Sequence, residues 1–284
     1  MRANMTDRQT MSPAVAAKYL LFRKSLPLQV ELQELARTIG QTDGLVCLEV
    51  GSPNPLFSYR LRKLGGQWHT GILREADMPA FTELLGDNVY LVPDLRLSFK
   101  KKIFDVVLIA DVLESVKEDE KFIEECHGVL KPDGRLVVNV TRPKPWSLLN
   151  PLRDLLGLTS EETGRFRPGY SESELFNVLK HGFDVANMRS YSRWFVEFVD
   201  LWVRSAIRRE TARQMPGSEA RIHRIIKMAG PCYWIGYQLD MFLFFTRGFR
   251  LVASAKRRAW RPRNAPVLVD GRSISEAVLT RAAE

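Results

Sequence analysis

Residues 104–140, FDVVLIADVLESVKEDEKFIEECHGVLKPDGRLVVNV, limit the possible folds of this chain more than any other stretch. Phe104–Ala110 is a short apolar run of the kind a strand buried on both faces needs. Lys117–Leu130 then sets Phe122, Ile123, Cys126 and Leu130 at helical spacing, with charges around the rest of the circumference. Lys131-Pro-Asp-Gly134 stops that helix, because proline cannot continue it and glycine accepts a left-handed turn. Arg135–Val140 is a second apolar, β-branched run. Strand, helix and strand in that order build a right-handed βαβ unit in a largely parallel sheet. Ligands of such sheets bind beyond the strands' carboxyl ends, which puts Asp111, Leu113, Glu114 and Ser115 beside a crevice.

The same alternation extends upstream. Val46–Val50 reads as the first core strand, Ser58–Lys63 begins a helix, and Gln67–Ile72 is a second strand. Met78–Leu85 is a helix and Val89–Val92 a short third strand. Downstream, 145–170 interrupts the pattern as an insert. Ser171 is an N-cap for a Glu172–Lys180 helix, with Glu174 completing a capping box. Phe183–Met188 and Trp194–Phe198 alternate well enough to be the antiparallel final strands. The expected fold class is α/β: a Rossmann-like, doubly wound, mostly parallel seven-stranded sheet over 41–198. Residues 1–40 form an N-terminal extension with helices Ala14–Ser25 and Gln29–Ile39, and 199–284 a helical C-terminal region.

The passage F-D-V-V, then V-L-E-S-V, then L-K-P-D-G-R-L resembles the class I S-adenosylmethionine-dependent methyltransferases of the type 11-like kind. Leu97-Ser-Phe99, followed by Phe104-Asp105, is similar to that family's L-P-F…F-D spacing. Tyr170–Leu175 followed by Gly182-Phe183 resembles its later helix-then-strand element. The resemblance covers roughly residues 40–190 and implies S-adenosylmethionine as cofactor. It also implies a set of site residues. The family's acidic-x-G-x-G-x-G loop maps onto Glu49 and Gly51, with Pro53 and Pro55 where the second and third glycines belong. Ser52 and Asn54 can supply hydrogen bonds in place of lost backbone donors. The ribose-binding acid would fall at Ile72 or Leu73, leaving Glu75 as its substitute, and Asp94 resembles the acid that receives the adenine amino group. Asp111 would line the space near the sulfonium and the acceptor. A position often filled by histidine is Ser115. Methyl transfer to a hydroxyl asks for in-line positioning and removal of one proton, and Asp111, Glu114 and His69 are the candidate bases.

Charge separates the two ends of the chain. Residues 201–284 hold 16 Lys/Arg and 6 Asp/Glu, whereas the rest is nearly neutral. Three well-separated cysteines and four scattered histidines indicate neither a disulfide framework nor a metal site. No apolar signal segment stands at the N-terminus, so a cytoplasmic setting is expected. Residues 230–246 are almost wholly apolar or aromatic, and Lys256, Arg257, Arg258, Arg261 and Arg263 follow. Asp240 and Gly230-Pro231 disfavour a transmembrane span. Tyr233, Trp234, Tyr237, Phe242, Phe244, Phe245 and Phe249 with that basic cluster fit an interfacial anchor on an anionic membrane through 230–263. The leading expectation is methyl transfer to a small or lipid-linked acceptor at the inner membrane face. A binding protein that has lost the cofactor is the alternative, and an RNA methyltransferase comes third because the apolar density exceeds that of a solvated RNA-binding face.

Overall fold

Side chains alternate between the two faces of each buried strand, so the apolar runs demand helices on both sides of the sheet. The computed structural model describes residues 22–260 except 53, 145–147, 157–164, 214–216 and 244, together with Val15 and Tyr19. Its strands are β1 (Val46–Val50), β2 (Gln67–Ile72), β3 (Val89–Leu91), β4 (Phe104–Ala110), β5 (Leu130–Thr141), β6 (Phe183–Tyr191) and β7 (Arg250–Arg257). They form one seven-stranded, mostly parallel sheet, as expected, in the order β3-β2-β1-β4-β5-β7-β6. The first five strands pair in parallel, and β7 runs antiparallel between β5 and β6.

Eight helices flank the sheet among the described residues: α1 (Leu26–Ile39), α2 (Pro55–Arg62), α3 (Met78–Leu85), α4 (Asp119–Val129), α5 (Leu149–Leu155), α6 (Glu172–Leu179), α7 (Trp194–Arg213) and α8 (Ser218–Met241). One face packs Leu48, Val107, Ile109 and Val138 against Ile123 of α4 and Leu175 and Leu179 of α6. The other packs Cys47, Val106, Leu108 and Val137 against Leu35 and Ile39 of α1 and Phe57 and Leu61 of α2. The Ser171–Glu174 capping box forms with both reciprocal hydrogen bonds, 3.2 and 2.7 Å.

Three expectations change. The Lys131–Gly134 turn is absorbed into β5 as an irregularity, with Asp133 at φ 63° and the β4–β5 register shifting at that level. The first-loop helix begins at Pro55, not Ser58: proline's missing N–H costs nothing at a first helical position, and Asn54 Oδ1 accepts from Leu56 N at 3.0 Å. Trp194–Phe198 is the first turn of α7, not a strand, and the seventh strand comes from 250–257 instead. Trp194 and Phe198 stack with centroids 5.4 Å apart, an i,i+4 contact that only a helix makes.

The α7–α8 pair is therefore an antiparallel hairpin inserted between β6 and β7. Segment 230–263 does not present one surface. Tyr233 and Phe249 are buried, Phe244 and residues from 261 onward lie outside the described residues, and 250–257 is a strand inside the sheet. Lys256 pairs with Asp133 at 2.9 Å, Arg257 donates to His127 O and Arg258 pairs with Asp184, all at the edge opposite the strands' carboxyl ends.

Asp240 is turned inward, 4% exposed, and its carboxylate accepts from Phe195 N at 2.8 Å and Val196 N at 3.1 Å. It satisfies two of the amides that α7 would otherwise leave unpaired. Asp240→Ala should lower stability by ~1–2 kcal/mol, read as a fall in the urea midpoint at unchanged slope. An unchanged midpoint would mean that water serves those amides equally well.

Candidate functional site

The strand order reverses between β1 and β4, so their carboxyl ends flank the crevice where α/β sheets bind ligands. Glu49 lies one residue from the end of β1. It is 1% exposed, and both carboxylate oxygens lack a hydrogen-bond partner. The buried Ser58 hydroxyl beside it is unpartnered too. Burial pushes the Glu49 carboxyl up to about 7, against the easing effect of Ser58, Ser52 and Arg62. A carboxylate so desolvated is expensive unless a donor meets it. Gly51 follows at φ +86°, and its N donates to Gly71 O at 3.1 Å. A Cβ there would collide with the Val112 side chain and come within 2.7 Å of Ala110 O. Ser52 Oγ donates to Asn54 O at 3.1 Å, and Asn54 caps α2, so both side chains hold the rebuilt loop in shape.

Across the crevice, β4 ends on Asp111, whose φ of 56° turns the chain sharply. Its Oδ1 accepts from Asn139 Nδ2 at 3.0 Å, and its Oδ2 pairs with the Arg250 guanidinium. Arg250 opens β7 directly opposite Thr141 and also lies 3.9 Å from Glu31 and 4.0 Å from Glu197. Asn139 Nδ2 donates a second bond to Glu31 Oε1 at 2.8 Å, and its Oδ1 accepts from the Tyr191 hydroxyl at 2.6 Å. Burial alone would raise the Asp111 carboxyl, but Arg250, with Arg165, holds it below the usual range. Glu31 goes the other way: burial, then the Asp111 charge, pushes it up to about 8. The guanidinium thus faces Asp111 and Glu197, and Glu31 relieves the excess negative charge by keeping a proton near neutrality.

The remaining sequence candidates scatter. Glu114 is fully buried; its Oε1 accepts from Thr141 N, and its backbone oxygen accepts from Phe166 N at 2.9 Å. It latches the insert to the end of β5. His69 sits mid-strand, level with Leu48 and Val107, in an aromatic cluster with Tyr90, Phe99 and Phe104. Four residues of strand, ~13 Å, separate that level from Asp111, so His69 is not brought beside Asp111. Glu75 is exposed in a short turn beyond β2, and no acid stands on Ile72 or Leu73. Asp94 falls in the Pro93–Leu95 turn after β3, with its side chain outside the description. Residues that sequence reasoning passed over are Glu31, Asn139, Tyr191 and Arg250. Asn139 had a signal: a lone amide in the apolar run Leu136–Val140.

Residues 48–138 match the family described as a methyltransferase domain. A ubiquinone biosynthesis O-methyltransferase of Bradyrhizobium diazoefficiens is 31% identical over 108 residues, 36% of this chain and 42% of that protein. The same figures hold for one from Rhodopseudomonas palustris. The chain thus matches about two-fifths of the length of these curated relatives. Among solved structures, the cyclopropane synthase MmaA2 from Mycobacterium tuberculosis shares the fold at a TM-score of 0.53 and 16% identity, over 81% of this chain and 84% of that one. A Haemonchus contortus N-methyltransferase, solved with phosphomonomethylethanolamine and S-adenosylhomocysteine, does so at 0.56 and 13%, over 89% and 60%.

The Glu31 proton carries a pH signature. The unfolded chain releases it near pH 4.5 and the folded chain near 8, so stability falls as pH rises between those values and then levels. Glu31→Gln keeps an oxygen for Asn139 and should flatten this slope, gaining on the parent at pH 8 by on the order of a few kcal/mol. Parallel urea midpoints for parent and variant from pH 5 to 8 would contradict the assignment.

Proposed function

We propose that this chain, whose residues 48–138 form a methyltransferase domain of the class I, S-adenosylmethionine-dependent family, binds that cofactor at Glu49 and transfers its methyl group to an oxygen acceptor held near Asp111. The observation that carries the reading is the buried, doubly unpartnered carboxylate of Glu49 at the ligand-binding edge. Its chemistry suits a ligand bearing an α-ammonium group, which would replace the missing donors. The loop is held by the Asn54 cap of α2 in place of the second and third glycines of the family pattern. When bound, S-adenosylmethionine supplies an electrophilic methyl on a sulfonium leaving group.

The chain's own part is orientation and proton handling. Asp111 stays ionised through its Arg250 pair and can accept a hydrogen bond from an acceptor hydroxyl. Asn139 fixes the direction of that carboxylate and links it to Glu31. The acceptor is small or lipid-linked, and the cytoplasmic face of a membrane is where it is met. The partial match to ubiquinone biosynthesis O-methyltransferases supports an oxygen atom as the site of methylation. A protein that keeps the fold but has lost the cofactor is the second reading, favoured by the missing acid at the end of β2.

Calorimetric titration with S-adenosylmethionine separates them. We expect binding that weakens about tenfold or more in Glu49→Gln, the loss of one charge-assisted contact. Affinity should rise as pH passes 7, where Glu49 ionises, and stop rising as the ligand's own ammonium begins to titrate near ~8. No heat at millimolar ligand would leave only the second reading. Asp111→Asn should keep cofactor affinity within about threefold while lowering turnover on a phenolic acceptor by ~10²-fold. Equal loss of both would make Asp111 a structural residue.

A further inference from the structure

The α7–α8 hairpin is polarised along its length. Because the helices are antiparallel, the N-terminal half of α7 lies beside the C-terminal half of α8: Tyr233 donates to Asp200 at 2.8 Å, and Asp240 meets Phe195 and Val196. This half carries exposed aromatic side chains, Phe198 and Trp202 on α7, Trp234 and Tyr237 on α8, and Phe242 at the α8 C-cap. Trp234 is 65% exposed and Phe242 75%, and Phe245 just beyond the helix is 73%. The distal half exposes Arg209, Arg213, Arg221, Arg224 and Lys227.

The acids of the hairpin offset only part of that charge. Glu197, Asp200, Glu210 and Asp240 are each under 10% exposed; Glu210 pairs with Arg213 at 2.7 Å and with Arg221 at 3.5 Å, and the exposed charge left over is that of Arg209, Arg224 and Lys227. The Glu219 side chain is outside the description. Past Lys227 the exposed face of α8 bears no charge at all, since Asp240 points inward. The aromatic half is also continuous with the site. Tyr191 and Ser192 lead from β6 into α7, and the chain from α8 returns to β7 at Arg250, beside Asp111.

We infer that this hairpin face, not the basic cluster at 256–263, is the surface on which the protein rests against an anionic phospholipid bilayer. This rests on the membrane-surface reading proposed above and replaces the surface that the sequence suggested for it. The aromatic half sinks its rings at the headgroup boundary while Arg209, Arg224 and Lys227 meet lipid phosphates. Among the described residues no helix is long and apolar enough to cross a membrane, so α8 lies along the interface. The orientation brings the crevice rim to the lipid, where a lipid-linked acceptor can enter without crossing water. Lys256, Arg257 and Arg258 stand at the far edge of the sheet with partners of their own and take no part.

The test is co-sedimentation of the full chain with phosphatidylcholine vesicles, with and without phosphatidylglycerol. The parent should sediment only with the anionic vesicles, and less so as salt rises. Trp234→Gln/Phe242→Gln and Arg224→Glu/Lys227→Glu should each reduce partitioning on the order of tenfold or more, at roughly fivefold per cation removed for the second pair. Lys256→Gln should leave it unchanged. These side chains are exposed, and matching thermal melts by circular dichroism will verify that the variants fold. The inference is overturned if the parent stays in the supernatant, if the aromatic variant binds as the parent does, or if that variant instead splits a dimer on size exclusion. RNA retention lost in the same basic variant, without vesicle binding, also overturns it. Loss of sedimentation with cofactor titration intact removes this inference alone; loss of titration with sedimentation intact removes the catalytic reading alone.

Discussion

A buried guanidinium organises the β4–β5–β7 side of the sheet's carboxyl edge. Arg250 is 8% exposed and stands among the carboxylates of Asp111, Glu31 and Glu197. A cation taken out of water at that depth is tolerable only with charged partners, and removing one partner from such a pair costs about 3–5 kcal/mol. The requirement binds together elements distant in sequence: α1 supplies Glu31, β4 Asp111, β5 Asn139, β6 Tyr191, α7 Glu197 and β7 the arginine itself. The N-terminal helix is thus tied to the sheet edge by the Asn139–Glu31 hydrogen bond, and the hairpin insertion by the Arg250–Glu197 pair, as well as by packing. The network also sets which carboxylate is ionised: Arg250 secures the charge on Asp111, and burial near that charge keeps the proton on Glu31.

Much of the sheet was legible because buried parallel strands leave a plain mark. β1, β2 and β4 were found with their ends, and the capping box at Ser171 stands as read. The seventh strand was missed because Trp-Phe-Val-Glu-Phe alternates like a strand while its i,i+4 rings stack like a helix; five residues do not decide between the two periods. Leu251–Ala255 was read as part of the 230–263 interfacial anchor because its neighbours are aromatic upstream and basic downstream. Only the pairing with β5 and β6 reveals its place.

The site was half legible. Asp111 was placed by its position at a strand end, and Glu49 and Gly51 by their resemblance to the family's first-loop pattern. Pro55 looked like a broken glycine loop but is a first helical residue behind an asparagine cap. Glu31 was hidden on a helix whose Leu28 and Leu35 mark the same buried stripe, and its partner lies more than a hundred residues away. Such pairs come together only through strand order. Asp240 counted in the sequence against a transmembrane span, and in the fold it faces inward and leaves the outer surface of that part of α8 uncharged.

Cofactor binding at the end of β1 requires the Glu49 carboxylate to be a ligand-binding group. A crystal structure of the chain grown with S-adenosylhomocysteine addresses this most directly. The ligand's amino group should lie within hydrogen-bond distance of Glu49, with Asn54 still capping α2. A ligand bound elsewhere, or a Glu49 carboxylate satisfied by Ser52 and Ser58 with the crevice closed over it, would contradict the central claim.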